Sequence, residues 1–177
     1  MNAAAGVRSD LESALVSDDK AELKLWLRLL TCSNMIDRQV RGSLRQDFGT
    51  TLPRFDILSQ LDRAPDGLTM TELSSRMMVS NGNLTGLADR LAQEGLVERI
   101  SEAHDRRTSR LKLTAAGKAS FENMTPVHAA WIENMFGGLS RQEMNQLLAL
   151  LAKLKNSLGA YARQREYATP SKKVEAQ

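Results

Sequence analysis

Apolar side chains recur every three or four residues towards both ends of the chain, and this spacing predicts two long amphipathic helices. The first begins at the capping residues 17–19, runs to about Asp47 and ends at Gly49. A wide apolar stripe lies along it, formed by Leu23, Leu25, Leu27, Leu29, Leu30, Cys32, Ile36, Val40 and Leu44. We therefore expect another surface to cover most of this helix.

The second long helix follows Gly137 and Gly138, where Ser140 and Glu143 have the spacing of a capping box. Its apolar residues form a heptad seam at alternating spacings of three and four: Met144, Leu147, Leu151, Leu154, Leu158 and Tyr161. Such a narrow seam is typical of two helices that pack side by side. It predicts dimerisation, and packing within one chain is the alternative.

Shorter helices are predicted between the two long ones. Pro53 suits the first turn of one helix, and the pair Thr69 and Glu72 forms a capping box at the start of the next. After a turn at Val79, a third helix is capped by Ser80 or Asn81 and turns an apolar face inward, made of Leu84, Leu87, Ala88 and Leu91. Two short helices around a turn are typical of a helix-turn-helix.

The segment after Gly95 predicts a β-hairpin. Leu96, Val97 and Ile100 form one strand, residues 103–109 a loop, and residues 111–113 the returning strand. A further helix runs from Ala115 to about Phe136, and Pro126 within it should kink or divide it. Together these elements predict an α+β, mainly α fold, a winged helix-turn-helix flanked by N- and C-terminal dimerisation helices.

Composition narrows the possibilities only slightly. Hydrophobic residues make up 42% of the chain and charged residues 25%, which are ordinary values for a globular protein. The single cysteine excludes an intramolecular disulfide and a cysteine-based zinc site. The net charge is +3, and its excess lies in residues 141–177, which hold seven basic and three acidic side chains. Bulk charge therefore lends no support to the helix-turn-helix as a nucleic-acid site.

Polar side chains cover the outer and N-terminal faces of the third short helix: Ser80, Asn81, Asn83 and Thr85, with Gly82 and Gly86 between them. Asparagine can bond both acceptor and donor of an adenine edge, and serine or threonine can contact bases or phosphates. Each glycine costs a helix up to about 1 kcal/mol relative to alanine, and a close approach to DNA would explain both. An ordinary structural helix with a polar face is the alternative.

Arg106, Arg107 and Arg110 lie near the tip of the predicted hairpin. Arginine in a narrow minor groove is held by the negative potential there. Asp105 would orient one arginine, either Arg107 or Arg99. A solvated hairpin tip is the alternative for these residues alone, but a basic hairpin directly after a helix-turn-helix favours DNA binding.

Residues 55–117 resemble the MarR family of bacterial regulators. The motifs that carry the resemblance are FDILSQL, LTMTELSSRMMVSNGNLTGLADRLAQEGLVER, the wing DRR and the LTAAG after it. The resemblance implies a homodimer with interlaced terminal helices, a palindromic double-stranded DNA operator, and repression relieved by a small ligand. It places residues 80–90, including Arg90, in the recognition helix, and Asp105 and Arg107 in the wing. The dimer contacts would be Leu25, Leu29, Ile36, Leu147, Leu151, Leu154 and Leu158.

The family's effector site lies between the dimer helices and the DNA-binding lobe. Residues expected to line it are Trp26, Met35, Arg38, Arg41, Phe55, Leu58 and Trp131. Aromatic and methionine side chains with an arginine suit a small aromatic carboxylate. Arg38, Arg41 and Arg45 would instead hold the phosphates of an acyl-coenzyme A thioester. The alternative is that these arginines are solvated or pair with Asp37 and Asp47.

Cys32 introduces an alternative mechanism, because some members of the family sense peroxides through a cysteine in the first helix. That chemistry uses tyrosines that bond the thiolate, whereas the two tyrosines here, Tyr161 and Tyr167, lie at the far end of the chain. A thiol within an apolar stripe is inert. A buried packing cysteine is therefore the preferred interpretation of Cys32.

No phosphate loop, nucleotide fingerprint or nucleophile elbow occurs in the sequence, so we expect neither an enzyme nor a bound cofactor. The two histidines, His104 and His128, lack the spacing of a metal site. A helical adaptor that binds another protein through the heptad seam, and does not bind DNA, is the competing function.

The expected organisation has five segments. They are a mobile tail at 1–17, a dimerisation and effector helix at 18–50, the DNA-binding domain at 51–114, dimerisation helices at 115–162, and a mobile tail at 163–177. No apolar run approaches the ~18 residues of a membrane span, and acidic residues interrupt the N-terminal segment. We expect a cytoplasmic protein associated with the nucleoid.

Overall fold

The computed structural model describes residues 20–102 and 105–168, without the side chains of Asn81, 101–108 and 165–168. The described residues divide into two compact units, of which the first ends at Trp131 and the second begins at Ile132. None of the described helices is long and apolar enough to cross a membrane.

The first long helix, α1 (Ala21–Phe48), begins later than its sequence predicts. Lys20 precedes it and makes no side-chain capping bond, and the expected caps at 17–19 lie outside the described residues. Gly49 ends the helix in the left-handed conformation, as expected. Burial is confined to the C-terminal part of α1, where Val40 and Leu44 meet the core.

Two short helices follow. The first, α2 (Leu52–Asp62), has Pro53 in its first turn and buries an apolar set of Phe55, Ile57, Leu58 and Leu61. In α3 (Met70–Met77), the Thr69 hydroxyl accepts a bond from the Glu72 N–H at 3.2 Å, and the Glu72 carboxylate accepts one from the Thr69 N–H at 2.8 Å. These two bonds confirm the predicted capping box. The Glu72 carboxylate also accepts from the Thr69 hydroxyl at 3.0 Å, and the bonds it accepts from the Thr69 N–H and hydroxyl hold the pKa of Glu72 below its usual value.

The sheet has three antiparallel strands in the order β1-β3-β2, where β1 is Leu68–Thr69, β2 is Val97–Glu102 and β3 is Asp105–Leu113. The prediction of a loop at 103–109 is wrong for residues 105–109, which belong to β3; the positions 103 and 104 lie outside the described residues. Polar residues dominate this part of β3, so no apolar alternation marked it as a strand. Backbone pairing across the hairpin, with an irregularity between Ser101 and Glu102, forms it nevertheless.

The recognition-helix candidate, α4 (Asn81–Gln93), buries Leu84, Ala88 and Leu91 completely, while Leu87 is half-buried. Together with α2, α3 and the sheet it forms the winged helix-turn-helix that the sequence predicts.

One glycine contact explains how α5 (Ala115–Phe136) can begin so close to the end of the recognition helix. A Cβ at Gly117 would collide with the carbonyl oxygen of Leu96, so only glycine allows the two backbones to approach. The Thr114 hydroxyl reinforces this junction by donating to the Gly95 carbonyl at 2.6 Å and accepting from the Gly117 N–H at 3.0 Å.

Of the two outcomes predicted at Pro126, a kink or a division of the helix, division is wrong, since α5 continues through it to Phe136. Proline removes a single N–H donor, whereas buried Phe121 and Met124 hold the preceding turns. The Thr125 hydroxyl also donates to the Phe121 carbonyl at 2.8 Å.

The last helix, α6 (Arg141–Ala168), runs past the predicted boundary at residue 162, so residues 163–168 are helical and not part of a tail. The capping box predicted at its start is confirmed, because the Glu143 carboxylate accepts from the Ser140 N–H at 2.8 Å and the Ser140 hydroxyl accepts from the Glu143 N–H at 3.3 Å. The remaining positions of the two predicted tails, 1–17 and 169–177, lie outside the described residues.

Candidate nucleic-acid interface

The outward face of α4 is polar and exposed. Its inward face is fully buried through Leu84, Ala88 and Leu91. Asn83, Thr85 and Arg90 consequently face outward and are exposed, as the helical spacing predicts, and Ser80 precedes them at the N-cap position. The side chain of Asn81 lies outside the described residues.

Gly82 and Gly86 have no structural purpose within the chain. A Cβ at either position would meet no atom within 4 Å, and neither glycine has a positive φ. Alanine would therefore fit both positions and would favour the helix by up to about 1 kcal/mol at each. The sequence suggests that these glycines allow DNA to approach the helix closely, and the described contacts of Gly82 and Gly86 are consistent with that interpretation.

Ser80 occupies the N-cap position of α4 without making a side-chain capping bond. Its hydroxyl, unlike that of Thr69 before α3, therefore satisfies no N–H of the helix it precedes. The first N–H groups of α4 point outward beside an exposed serine, an arrangement that suits a phosphate.

The wing candidates fall largely outside the described side chains. This applies to Asp105, Arg106 and Arg107, of which only the backbone in β3 is described. Arg99, one of the two expected partners of Asp105, bonds Asp89, with Nη2 and Oδ1 2.6 Å apart; a bond to Asp105 would involve a side chain outside the described ones. The Arg99–Asp89 ion pair ties β2 to α4, a link that the sequence did not suggest.

Arg110 does not lie near the hairpin tip, where its sequence position had placed it. It stands inside the sheet, opposite Thr69 on one side and Ile100 on the other. Its guanidinium Nη1 donates to the Gly67 carbonyl at 3.1 Å and to the Glu72 carboxylate at 3.3 Å. Arg110 therefore joins the sheet to the start of α3. The predicted position near the tip is wrong because β3 already begins at Asp105.

A second ion pair fixes the C-terminal end of α4. The Arg54 guanidinium in α2 grips the Glu94 carboxylate with both terminal nitrogens, and the Nη1–Oε1 distance is 2.8 Å. Hydrogen bonding to Arg54 lowers the pKa of Glu94, and the same pair raises the pKa of Arg54. The two residues stand forty positions apart, which no sequence pattern announces.

A cavity of about 360 Å³ lies beside this pair. Arg54 and Glu94 line it with Phe48, Gly49, Thr50, Leu58, Leu91, Leu96, Ser120, Asn123 and Met124. Arg54 Nε is buried and has no hydrogen-bond partner among the described residues. An acceptor in the cavity could satisfy this donor, because a buried N–H left without a partner is costly.

The single chain brings only some of the residues expected to line an effector site close together. Phe55 and Leu58 lie in the core of the first unit, whereas Trp26 and Met35 are exposed on α1, as is Arg38. Only Leu58 among the expected residues lines the cavity beside Arg54.

Arg41 is engaged by a carboxylate, which was one of the alternatives for this arginine. Its Nε bonds Asp37 Oδ2 at 2.6 Å, and this bond lowers the pKa of Asp37 and raises the pKa of Arg41. Asp56 lies near them, and its burial raises the pKa of its carboxyl. An incoming carboxylate would therefore meet acidic neighbours at Arg41.

Phe55 and Trp131, two of the residues expected to line the effector site, belong to one aromatic cluster. Phe55 contacts Phe121 and His128, with ring centroids 5.4 and 4.7 Å apart respectively. Trp131 lies 5.9 Å from Phe48 and 6.2 Å from His128. Burial lowers the pKa of His128, which favours its neutral form.

Cys32 is exposed, so the prediction of a buried packing cysteine is wrong for this chain by itself. The apolar stripe of α1 extends beyond the part of the helix that meets the core, and Cys32 lies on the uncovered part. The described residues contain no group of three histidine, cysteine or acidic side chains placed to hold a metal ion.

Comparisons with known proteins agree with this architecture. A model of the MarR family matches residues 48–108. The chain is similar to the HTH-type transcriptional repressor YetL of Bacillus subtilis, with 31% identity over 144 residues that cover 81% of this chain and 86% of YetL. It also matches the crystal structure of a MarR family transcriptional regulator from Silicibacter pomeroyi, with a TM-score of 0.67, 31% identity, and coverage of 80% of this chain and 99% of that one. The chain belongs to the MarR family.

Members of the MarR family are DNA-binding transcription regulators and not enzymes, and this chain is one of them. A further match is the transcriptional activatory protein BadR of Rhodopseudomonas palustris, 28% identical over 147 residues, which cover 80% of this chain and 83% of BadR. The names of these two relatives differ in the direction of regulation.

Proposed function

We propose that this MarR-family regulator represses transcription as a homodimer on a palindromic operator and leaves the DNA when a small carboxylate binds. The observation that carries the proposal is the division of α4 into a fully buried apolar face and an exposed polar face. A helix with that division, in a helix-turn-helix, presents its outer face to the major groove.

The proposed DNA contacts come from two elements. Asn83 and Thr85 on α4 would contact bases, with Ser80, Asn81 and Arg90 beside them and the backbones of Gly82 and Gly86 close to the DNA. Arg107 would enter the flanking minor groove, with Arg106 beside it and Asp105 orienting it. Two recognition helices in successive major grooves would lie ~34 Å apart.

Support for the homodimer comes from apolar surface on both long helices. On α6, Leu150 is 65% exposed and Leu158 58%; on α1, Trp26 is 57% exposed. Monomeric proteins rarely expose large contiguous apolar patches. We therefore assign residues 18–50 and 115–162 to dimerisation, with Leu25, Leu29, Ile36, Leu147, Leu151, Leu154 and Leu158 as contacts.

The effector in this proposal is a small aromatic carboxylate or its coenzyme A thioester. The cavity beside Arg54 supports a carboxylate because it offers a guanidinium whose Nε is unbonded. A bound carboxylate would compete with Glu94 for Arg54, and Glu94 caps the C-terminal end of α4. Release of Glu94 would alter how firmly α4 is held, which links the cavity to the DNA-binding helix.

DNA binding is tested with a duplex selected from a random library by the wild-type protein. We expect the affinity for this duplex to fall steeply as salt rises, because each phosphate contact releases counterions. Asn83→Ala should reduce the preference for the selected duplex over a scrambled one. A flat salt dependence would contradict the proposed binding mode.

The effector is tested by thermal shift with benzoate, its hydroxylated derivatives and their coenzyme A thioesters. A stabilising compound should also release the selected duplex, and Arg54→Gln should abolish its effect. Stabilisation that persists in Arg54→Gln would move the effector site elsewhere. Whether the selected sequence silences or stimulates a reporter gene distinguishes repression from activation.

The exposure of Cys32 favours one alternative, a thiol-based switch. Cys32→Ser should leave DNA binding and its release by carboxylates unchanged. If peroxide releases the wild-type protein from DNA but not the Cys32→Ser variant, the redox mechanism replaces the carboxylate one.

Family membership favours DNA binding over the adaptor interpretation, which predicts that the protein selects no duplex from the random library.

A further inference from the structure

Met78 has a backbone conformation that its side chain disfavours. It ends α3 with φ 53° and ψ 39°, in the left-handed region. Among the described residues it is the only one other than glycine with a positive φ. A glycine would adopt this conformation without steric cost, so methionine at this position weakens the turn.

Two backbone bonds close this turn, from the Met78 N–H to the Ser75 carbonyl at 3.4 Å and from the Val79 N–H to the Ser74 carbonyl at 3.2 Å, but the methionine side chain itself gains almost no burial among the described residues. The Met78 side chain is 92% exposed, and Val79 beside it is 44% exposed. Buried Leu73 and Leu84 on either side already pack the two helices of the motif. Met78 therefore contributes almost no apolar burial to the folded chain, although it is among the larger apolar side chains. A left-handed C-cap needs no methionine, so an exposed apolar side chain at this disfavoured position is a reason to look for a partner outside the chain.

The position of Met78 indicates which partner. The residue stands two positions before Ser80, the N-cap of the recognition helix. In a helix-turn-helix the N-terminal end of the second helix is the part that reaches the base edges. Besides hydrogen-bonding groups, DNA offers apolar surface there, namely the C5 methyl of thymine and the deoxyribose carbons. An unbranched, flexible methionine adapts readily to such a surface.

We propose that Met78, with Val79 next to it, makes an apolar contact with DNA when α4 docks. On the free protein the side chain is hydrated, and docking removes part of it from water. Met78 is then a further affinity- and specificity-determining residue beside the polar set on α4. The proposal deepens the DNA-binding role and depends on α4 being the docking element.

The test compares Met78→Gly and Met78→Asn with Met78→Leu. Glycine and asparagine tolerate the left-handed conformation, so both variants should melt at the same temperature as the wild type or higher. Both should nevertheless bind the selected duplex about three- to tenfold more weakly, as expected for the loss of part of an apolar side chain. Met78→Leu should keep affinity within about twofold, because a leucine presents a similar apolar surface.

If Met78 had only a structural role in the turn, Met78→Gly and Met78→Asn would not combine an unchanged or higher melting temperature with weaker DNA binding. Unchanged affinity in Met78→Gly and Met78→Asn would overturn the proposal. An altered sedimentation mass of these variants, with unchanged DNA affinity, would also overturn it and assign the residue to a contact between copies of the chain.

A duplex in which deoxyuridine replaces thymine distinguishes the two apolar sources. If Met78 contacts a thymine methyl, this duplex should weaken wild-type binding about as much as Met78→Gly does, and the two changes should not add. If it contacts deoxyribose, the deoxyuridine duplex should affect wild type and variant equally. Asn83→Ala separates the docking of α4 from the contact of Met78. Normal binding by Asn83→Ala would count against α4 as the docking element. If Asn83→Ala weakens binding but the Met78 variants do not, α4 docks on DNA and Met78 makes no contact.

Discussion

The winged helix-turn-helix and the long helix α6 differ in the burial of their apolar side chains. In the winged helix-turn-helix, Leu73, Leu84 and Leu91 are completely buried. Ion pairs with neighbouring elements also hold α3 and α4 in place. On α6, Leu148, Leu150 and Leu158 are exposed. The winged helix-turn-helix therefore buries its own apolar residues, whereas α6 leaves apolar side chains exposed. In the proposed homodimer, the recognition surface would fold independently of the helices that set the distance between its two copies.

The exposed apolar residues of α6 also exceed the predicted seam. Leu148 and Leu150 lie outside the heptad positions and are more exposed than Leu151, which lies on it. A surface wider than a two-helix seam suggests contact with more than one partner helix. The interlaced terminal helices that the family resemblance implies would supply such a surface.

The largest effect is expected from opening the self-contained core. Leu84→Ala should lower the free energy of unfolding by about 2–5 kcal/mol, because it removes a fully buried side chain and leaves a cavity. Ile100→Ala, at an exposed position of β2 in the same unit, is the matched control and should cost less than about 1 kcal/mol. Urea unfolding measures both. Equal losses would show that the core is less tightly packed than the structure indicates.

The next largest effect concerns the assembly. Leu151→Lys combined with Leu154→Lys should raise the dimer dissociation constant at least about 100-fold, since two unpaired charges would have to be buried. Sedimentation equilibrium measures the change, and Asn156→Lys, at an exposed position of the same helix, is the control. The double variant should keep its helical circular dichroism and bind a palindromic duplex poorly. A dimer that survives both changes would refute the seam.

Local signals in the sequence were sufficient for most of the fold. Capping residues, apolar periodicity and glycine stops are short-range features, and they predicted the capping boxes at Thr69 and Ser140, the end of α1 at Gly49 and the buried face of α4. The polar first half of β3 was missed because its strand conformation comes from pairing with β2 and not from an apolar pattern.

The site depends more on contacts between distant positions, which leave no local pattern. The pairs Arg54–Glu94 and Arg99–Asp89 join different elements, and the cavity beside Arg54 exists only once α2, α4 and α5 meet. The left-handed conformation of Met78 could not be predicted from its residue type, because glycine is the residue that normally adopts this conformation. The outer face of α4 was predictable since it is the complement of a buried face.

A smaller effect is expected at the wing. Arg107→Ala should weaken binding to the selected duplex by about 1–3 kcal/mol and reduce the salt slope by about one, while the dimer stays intact. Arg63→Ala, at an exposed position after α2, is the control and should bind normally. Fluorescence anisotropy at several salt concentrations gives both quantities. Unchanged binding by Arg107→Ala would remove the wing from the interface and leave α4 as the sole docking element.

The smallest effect concerns the ion pair that holds the end of α4. Glu94→Gln should lower the free energy of unfolding at pH 7 by less than about 1 kcal/mol, because Glu94 is exposed enough for solvent to screen the pair. Arg54 lowers the pKa of Glu94 in the folded chain, so the carboxylate stabilises the fold above its unfolded pKa, near 4.3. That contribution is lost as pH falls through the depressed folded pKa. Wild type and Glu94→Gln should then converge at acid pH in urea unfolding, whereas Glu98→Gln controls for a surface glutamate. A gap that persists at low pH would mean that packing, and not charge, fixes this end of the recognition helix.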